Sequence, residues 1–89
     1  MISKTTRKFW KAYAKLDETV KQQARASYRL FRENPQHPSL NFKKVHDSLP
    51  IYSARVNLNH RAVGIFENGE IIWFWIGPHD AYEKLLLRL

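Results

Sequence analysis

Apolar residues change their spacing once along the chain, and the change separates a helical half from a strand half. Around residues 6 to 15, Phe9, Trp10, Tyr13 and Leu16 recur at helical intervals. Asp17 and Glu18 then supply a cap and a negative charge for the positive end of a second helix. Val20, Ala24, Ser27, Tyr28 and Phe31 mark one face of it. Asn34 and Pro35 end that helix, and "NPQHP" is a connector rich in helix breakers. The two segments predict a helical hairpin.

Downstream the period shortens to two. "LNFKKV", "IYSARVNL", "RAVGIFE" and "EIIWFWI" read as four strands, which leaves "MISKT" at the start without an element. Tyr52, Ala54, Val56 and Leu58 alternate with Ile51, Ser53, Arg55 and Asn57, the pattern of a sheet with one wetter face. Asn68-Gly69 predicts a two-residue hairpin turn, because that turn needs positive φ at both positions. Counting outward pairs Phe66 with Ile71 and Gly64 with Trp73, so the glycine makes room for the indole. The same count sets Arg61 opposite Ile76.

At Asn59-His60 a two-residue loop would put Arg55 and Arg61 on opposite faces. A third loop residue, or one bulge, would put them on the same face, which is the expectation adopted. Trp73 to Ile76 read as a strand buried on both faces, which leaves the core through Gly77 and Pro78 to His79. Asp80 and Glu83 have capping-box spacing, and Leu85, Leu86 and Leu89 give the last segment an apolar helical face. The expected fold is therefore α/β of the α+β kind. An N-terminal helical hairpin packs on a four-stranded, mainly antiparallel sheet with a short C-terminal helix, all within one domain spanning residues 1–89.

Composition narrows the function. A chain of 89 residues supports one core, since it buries only roughly 60–65% of its unfolded surface. The absence of cysteine excludes disulfides, zinc–thiolate sites and thiol nucleophiles. No apolar run approaches the roughly 20 residues of a membrane span, and "MISKTTRKFW" lacks the apolar core of a signal peptide. A cytoplasmic location without a membrane partner is expected. Fifteen Lys and Arg against eight Asp and Glu give a net charge of +7 and a pI near 10.0. That excess favours polyanions, nucleic acid first and acidic protein segments second, over a merely solvated basic surface.

Lys21, Arg25, Arg29 and Arg32 form one stripe on the second helix, and Lys8, Lys11 and Lys15 another on the first. Phosphate contacts need only such a field, although a solvated helix face has the same appearance. Lys43, Lys44, Arg55, Arg61, His79 and Tyr82 are expected to converge on one edge of the sheet. His79 would lie at a helix start, where backbone N–H groups attract anions. The four histidines, His37, His46, His60 and His79, lack metal-ligand spacing and have few acids to join them, so neither metal nor cofactor is expected. No glycine-rich phosphate loop, Ser-His-Asp pattern or carboxylate pair is present.

The remaining residue types suit RNA cleavage by attack of a 2′-hydroxyl on its neighbouring phosphate. Such a reaction needs a base, an acid and cations around a negative transition state, which Lys, Arg, His and Tyr can supply. Plainer roles compete at each position: a helix start for His79, a core place for Tyr82, surface charge for Lys43 and Lys44.

"NPQHPSLNFKKV", "YSARVNLNHRAVGIF" and "IGPHDAYEKLL" together resemble the RelE/ParE toxin superfamily of bacterial and archaeal toxin–antitoxin modules. The resemblance covers nearly the whole chain and rests on the order and spacing of these segments. It implies two helices on an antiparallel sheet, a short last helix, and an antitoxin, encoded by the adjacent gene, that wraps the surface. In the RelE branch it further implies cleavage of messenger RNA in the ribosomal A site without a metal. Lys43 and Lys44 match that branch's basic position on the first strand, Arg55 and Arg61 those on the next two. His79 and Tyr82 match its C-terminal pair. The ParE branch shares the fold but poisons DNA gyrase, and its members tend to end in a histidine followed by Arg-Asp. "HDAY" is closer to the RNase branch.

Overall fold

In the computed structural model, which describes residues 1–89, both predicted helix starts are capped by the side chains that precede them. The Phe9 amide donates to Thr6 Oγ1 at 3.2 Å and opens α1 (Arg7–Ala14). The Val20 amide donates to Asp17 Oδ1 at 3.0 Å and opens α2 (Glu18–Glu33). Each contact satisfies an amide that has no partner within its own helix. A single 3₁₀ turn (Pro38–Leu40) then drops Leu40 into the core.

The sheet has five strands rather than the expected four, because "ISKT" forms β1 (Ile2–Thr5). The others are β2 (Lys43–Lys44), β3 (Ile51–Asn57), β4 (His60–Glu67) and β5 (Glu70–Pro78), in the order β1-β5-β4-β3-β2. β1 runs parallel to β5, and every other pair is antiparallel. Backbone bonds flank this edge strand, from the Ile2 amide to Gly69 O and from the Thr6 amide to Trp73 O, and Trp73 Nε1 donates to Ser3 Oγ. Three of its four side chains are exposed, so β1 carries no hydrophobic period to announce it.

Helices cover both faces of the sheet. Under α1 and α2, Phe31, Leu40, Ala54, Ile71 and Trp73 form the larger cluster. Under α3 (His79–Arg88), Ile51, Val63 and Tyr82 form the smaller, with Phe74, Trp75, Leu85 and Leu86 packed against it. The face expected to be wetter is therefore closed: Ile51 and Ser53 are both buried. A period-two pattern in β3 cannot report a helix that returns from the far end of the chain.

The Asn68-Gly69 turn forms as expected, with φ of 53° and 74°. Phe66 pairs with Ile71, and Gly64 with Trp73. A Cβ on Gly64 would lie 2.9 Å from the Ile72 carbonyl oxygen and 2.9 Å from Ile71 Cδ1. The carbonyl belongs to a paired strand and cannot give way. Gly64→Ala should thus destabilise the protein by about 1–3 kcal/mol, read as a lower denaturant midpoint, and an unchanged midpoint would refute the packing reason for this glycine.

Two bulges correct the expected register. β5 carries one extra residue at Phe74, since Val63 pairs with Trp75 while Gly64 pairs with Trp73. Arg61 consequently faces Gly77 and not Ile76. In β3 the register shifts at Val56, and the turn falls on Leu58-Asn59 rather than Asn59-His60. Arg55 and Arg61 end directly opposite one another, on the same face as expected. The Asp80–Glu83 capping box does not form. α3 starts at His79, whose amide donates to Asn59 O at 2.7 Å, so the first free N–H is already satisfied by the β3–β4 turn.

Candidate active site

Where β3 and β4 approach their turn, their ladder sets two arginines side by side under the start of α3. Arg55 and Arg61 occupy a cross-strand pair on the α3 face, next to the Ser53–Val63 pair. Neither is among the ion pairs of the structure, which are Lys4–Glu70, Arg25–Glu18 and His79–Glu83. Arg61 Nη1 donates to the carbonyls of Asn57 at 2.8 Å and His60 at 2.9 Å, and to Leu58 at 3.4 Å. One end of that guanidinium thus holds the turn together. Arg55 Nε is buried without a partner. Burial, and then the neighbouring Arg55 charge, lower the pKa of Arg61, with Tyr82 partly opposing them. Two half-buried like charges without a carboxylate are costly alone, and an anion between them would relieve that cost.

His79 opens α3 two residues beyond Gly77, the cross-strand partner of Arg61. Its Nδ1 lies 3.0 Å from Glu83 Oε1, one helical turn on, and its ring meets the Tyr82 ring edge-on with centroids 5.6 Å apart. Tyr82 itself is a core residue, 8% exposed, whose hydroxyl donates to Ser53 Oγ at 3.3 Å. Its ring backs the imidazole and its hydroxyl reaches the strand that carries Arg55. Lys43 pairs with Ser53 and so shares the arginine face, whereas Lys44 pairs with Tyr52 on the other; both are exposed.

Other candidates lie elsewhere. His60 pairs with Asn57, and its Nδ1 meets Asn57 Oδ1 at 3.1 Å. Asn57 Nδ2 donates to Gln23 Oε1 on α2, which puts His60 on the hairpin side of the sheet, away from His79. His37 and His46 order their own loops by accepting backbone amides at Nδ1. The α2 cations also belong to the hairpin side. Arg25 donates to Tyr13 Oη at 2.6 Å and to Glu18 at 3.2 Å, and these bonds, Glu18 first, raise its pKa. Lys21 lies over the Tyr13 ring and Arg32 over that of Tyr28. Lys21, Arg25, Arg29 and Arg32 therefore do not join the arginine pair.

Between the hairpin and the sheet opens a groove of about 640 Å³, walled by Phe9, Tyr13, Ala24, Tyr28, Phe31 and Ala62. Trp10, 52% exposed, stands at its lip, and Lys4, Arg25 and Arg29 at its rim. Tyr28, assigned to the buried face by its spacing, is 41% exposed here. No sequence period reveals such a groove, because helical spacing marks an apolar face without saying how closely the face seats on the sheet. Glu83 was visible only as half of a capping box.

The fold has known counterparts. YafQ from E. coli strain BL21(DE3) superposes with a TM-score of 0.72 at 13% identity, over 90% of this chain and 94% of its own. A chain of the RelB-RelE antitoxin-toxin complex from Methanococcus jannaschii gives 0.74 at 12% identity, over 92% and 96%. The YoeB dimer from Staphylococcus aureus gives 0.68 at 17%, over 89% and 97%. At these identities the likeness establishes the fold. Comparison with curated protein sequences finds no match. The sequence model of the ParE-like toxin domain matches residues 18–84, from the first turn of α2 to the middle of α3, and the chain belongs to that family.

Proposed function

We propose that the protein is the toxin of a toxin–antitoxin pair and that it cuts messenger RNA, with the ribosome presenting the message. The observation that carries this reading is the Arg55–Arg61 pair, which has no carboxylate partner and lies beside the edge-packed His79. A scissile phosphate between the guanidiniums would supply the missing negative charge. The 2′-oxygen forms its bond to phosphorus as the bond to the 5′-oxygen breaks, giving a cyclic phosphate and a 5′-hydroxyl. His79 Nε2 takes the 2′-hydroxyl proton, and the leaving oxygen takes one from water. Arg55 and Arg61 stabilise the charge that develops on the phosphoryl oxygens, and Tyr82 orients the His79 ring. Lys43, on the arginine face, contacts the RNA strand beyond the scissile phosphate, whereas Lys44 points to the other face.

An acidic antitoxin would occupy the groove between hairpin and sheet, where apolar walls and the cations Lys4, Arg25 and Arg29 suit an amphipathic acidic helix. Related folds were crystallised in complex with antitoxins, RelB from Methanococcus jannaschii and YefM from Staphylococcus aureus. The opposite placement of Lys21, Arg25, Arg29 and Arg32 suits contact with ribosomal RNA away from the cleavage centre. Ribosome binding should then weaken steeply with salt through counterion release, in a filter or sedimentation assay. Salt-independent binding would reduce these helix faces to solvated surface.

Primer extension on a translated message, with and without the purified protein, tests the main reading: new stops inside codons are expected. A second reading, inhibition of DNA gyrase, draws on the ParE-like character of the matched family. Intact messages together with blocked gyrase supercoiling would establish it instead.

A further inference from the structure

Of the four imidazoles, only His79 has a ring nitrogen on a carboxylate. His37 and His46 accept amide protons at Nδ1, so their Nε2 atoms carry the hydrogen and offer no lone pair. At His79 the polarity is reversed. Glu83 Oε1, 3.0 Å from Nδ1, can only accept when ionised, which places the ring hydrogen on Nδ1 and the lone pair on Nε2. The contact spans one helical turn between side chains 43% and 67% exposed, too open to add much stability. Its effect falls on the ring. The His79 backbone is held by its amide on Asn59 O, and its ring is held twice, edge-on by Tyr82 and by Glu83 at Nδ1. The other carboxylate nearby, Asp80, is turned away and accepts the Ala81 amide at 2.9 Å.

We propose that Glu83 is a positioning residue, whose carboxylate accepts the Nδ1 hydrogen of His79 and so presents Nε2 to the 2′-hydroxyl beside Arg55 and Arg61. This rests on the cleavage reading given above. Glu83 touches no reacting atom; it selects which nitrogen of His79 does. Outer partners of metal-bound histidines are worth about 10–100-fold in affinity or activity, and a factor of that order is expected here.

Two measurements on the full chain test it. Nitrogen-15 spectra of the neutral His79 ring should show hydrogen on Nδ1 in the parent, and a mixture of both tautomers in Glu83→Ala. In primer extension under single-turnover conditions, Glu83→Ala should slow cutting by about 10–100-fold with RNA affinity little changed. Glu83→Gln, whose amide oxygen can still accept, should recover part of that loss, and Lys84→Ala on the same exposed helix should behave as the parent. An unchanged tautomer in Glu83→Ala, or cutting at the parental rate, overturns the assignment. If the parent cuts no RNA, the cleavage reading fails on its own, and the spectra still decide whether Glu83 sets the ring.

Discussion

His79→Ala should reduce cleavage of a translated message by about 10²–10⁴-fold while leaving the protein folded, because it removes the imidazole proposed as the base, which packs on Tyr82 at the start of α3. The ring packs on the edge of Tyr82 and is half-exposed, so its loss opens no cavity in the core. Arg55→Ala should cost about 10²–10³-fold, as expected for one preorganised donor to a developing charge. Arg61→Ala should behave differently. It would lose a comparable factor in rate and lower the melting temperature as well, since Nη1 holds the carbonyls of Asn57, Leu58 and His60. Arg61→Lys offers one nitrogen that can hold the turn as Nη1 does but none left over for a phosphate, so it should recover stability more than rate. Near-parental cutting by His79→Ala would remove it from the mechanism. Unfolding of both the His79 and the Arg55 variants would show that this corner serves the sheet alone.

Replacing Trp10 and Tyr28 together with alanine should weaken antitoxin binding by at least about 30-fold, roughly 2 kcal/mol or more for an aromatic hot spot. Both rings stand exposed at a groove that is otherwise apolar, the position from which an aromatic side chain closes over an inserted helix. Calorimetric titration with the product of the neighbouring gene measures the effect, and circular dichroism checks the fold. Added salt should weaken the same complex only moderately, because the rim charges steer while the walls bind. Unchanged affinity in the double variant would place the antitoxin elsewhere on the surface.

Elements with strong local signals were legible before any coordinates. The two helices, the Asp17 cap, the Asn68-Gly69 turn and the Gly64–Trp73 pair follow from single residues acting within a few positions, whereas the Thr6 cap appeared only in the structure. The α+β class follows from the switch between two hydrophobic periods. The choice of Arg55, Arg61, His79 and Tyr82 as one neighbourhood came partly from counting strand pairs and partly from family resemblance. The structure does bring these four together, and leaves Lys44 and the α2 cations on other surfaces.

What local patterns could not hold was anything decided across the sheet. β1 is a strand because β5 offers it a parallel edge, a fact contained in neither segment alone. The bulges at Phe74 and Val56 each change the register by one residue, the first setting Arg61 opposite Gly77 and the second lying beside Arg55. Tyr82 is buried and His79 half-exposed because α3 folds back over the strands. Glu83 meets the imidazole through a local contact one helical turn apart, where the sequence suggested a helix cap. By itself the sequence determined every α-helix and strand except β1, together with the charge and the residue types of the site, since these depend on neighbours along the chain. Register, burial and the pairing of one guanidinium with another were left to tertiary structure, because their energies arise between residues that the chain holds far apart.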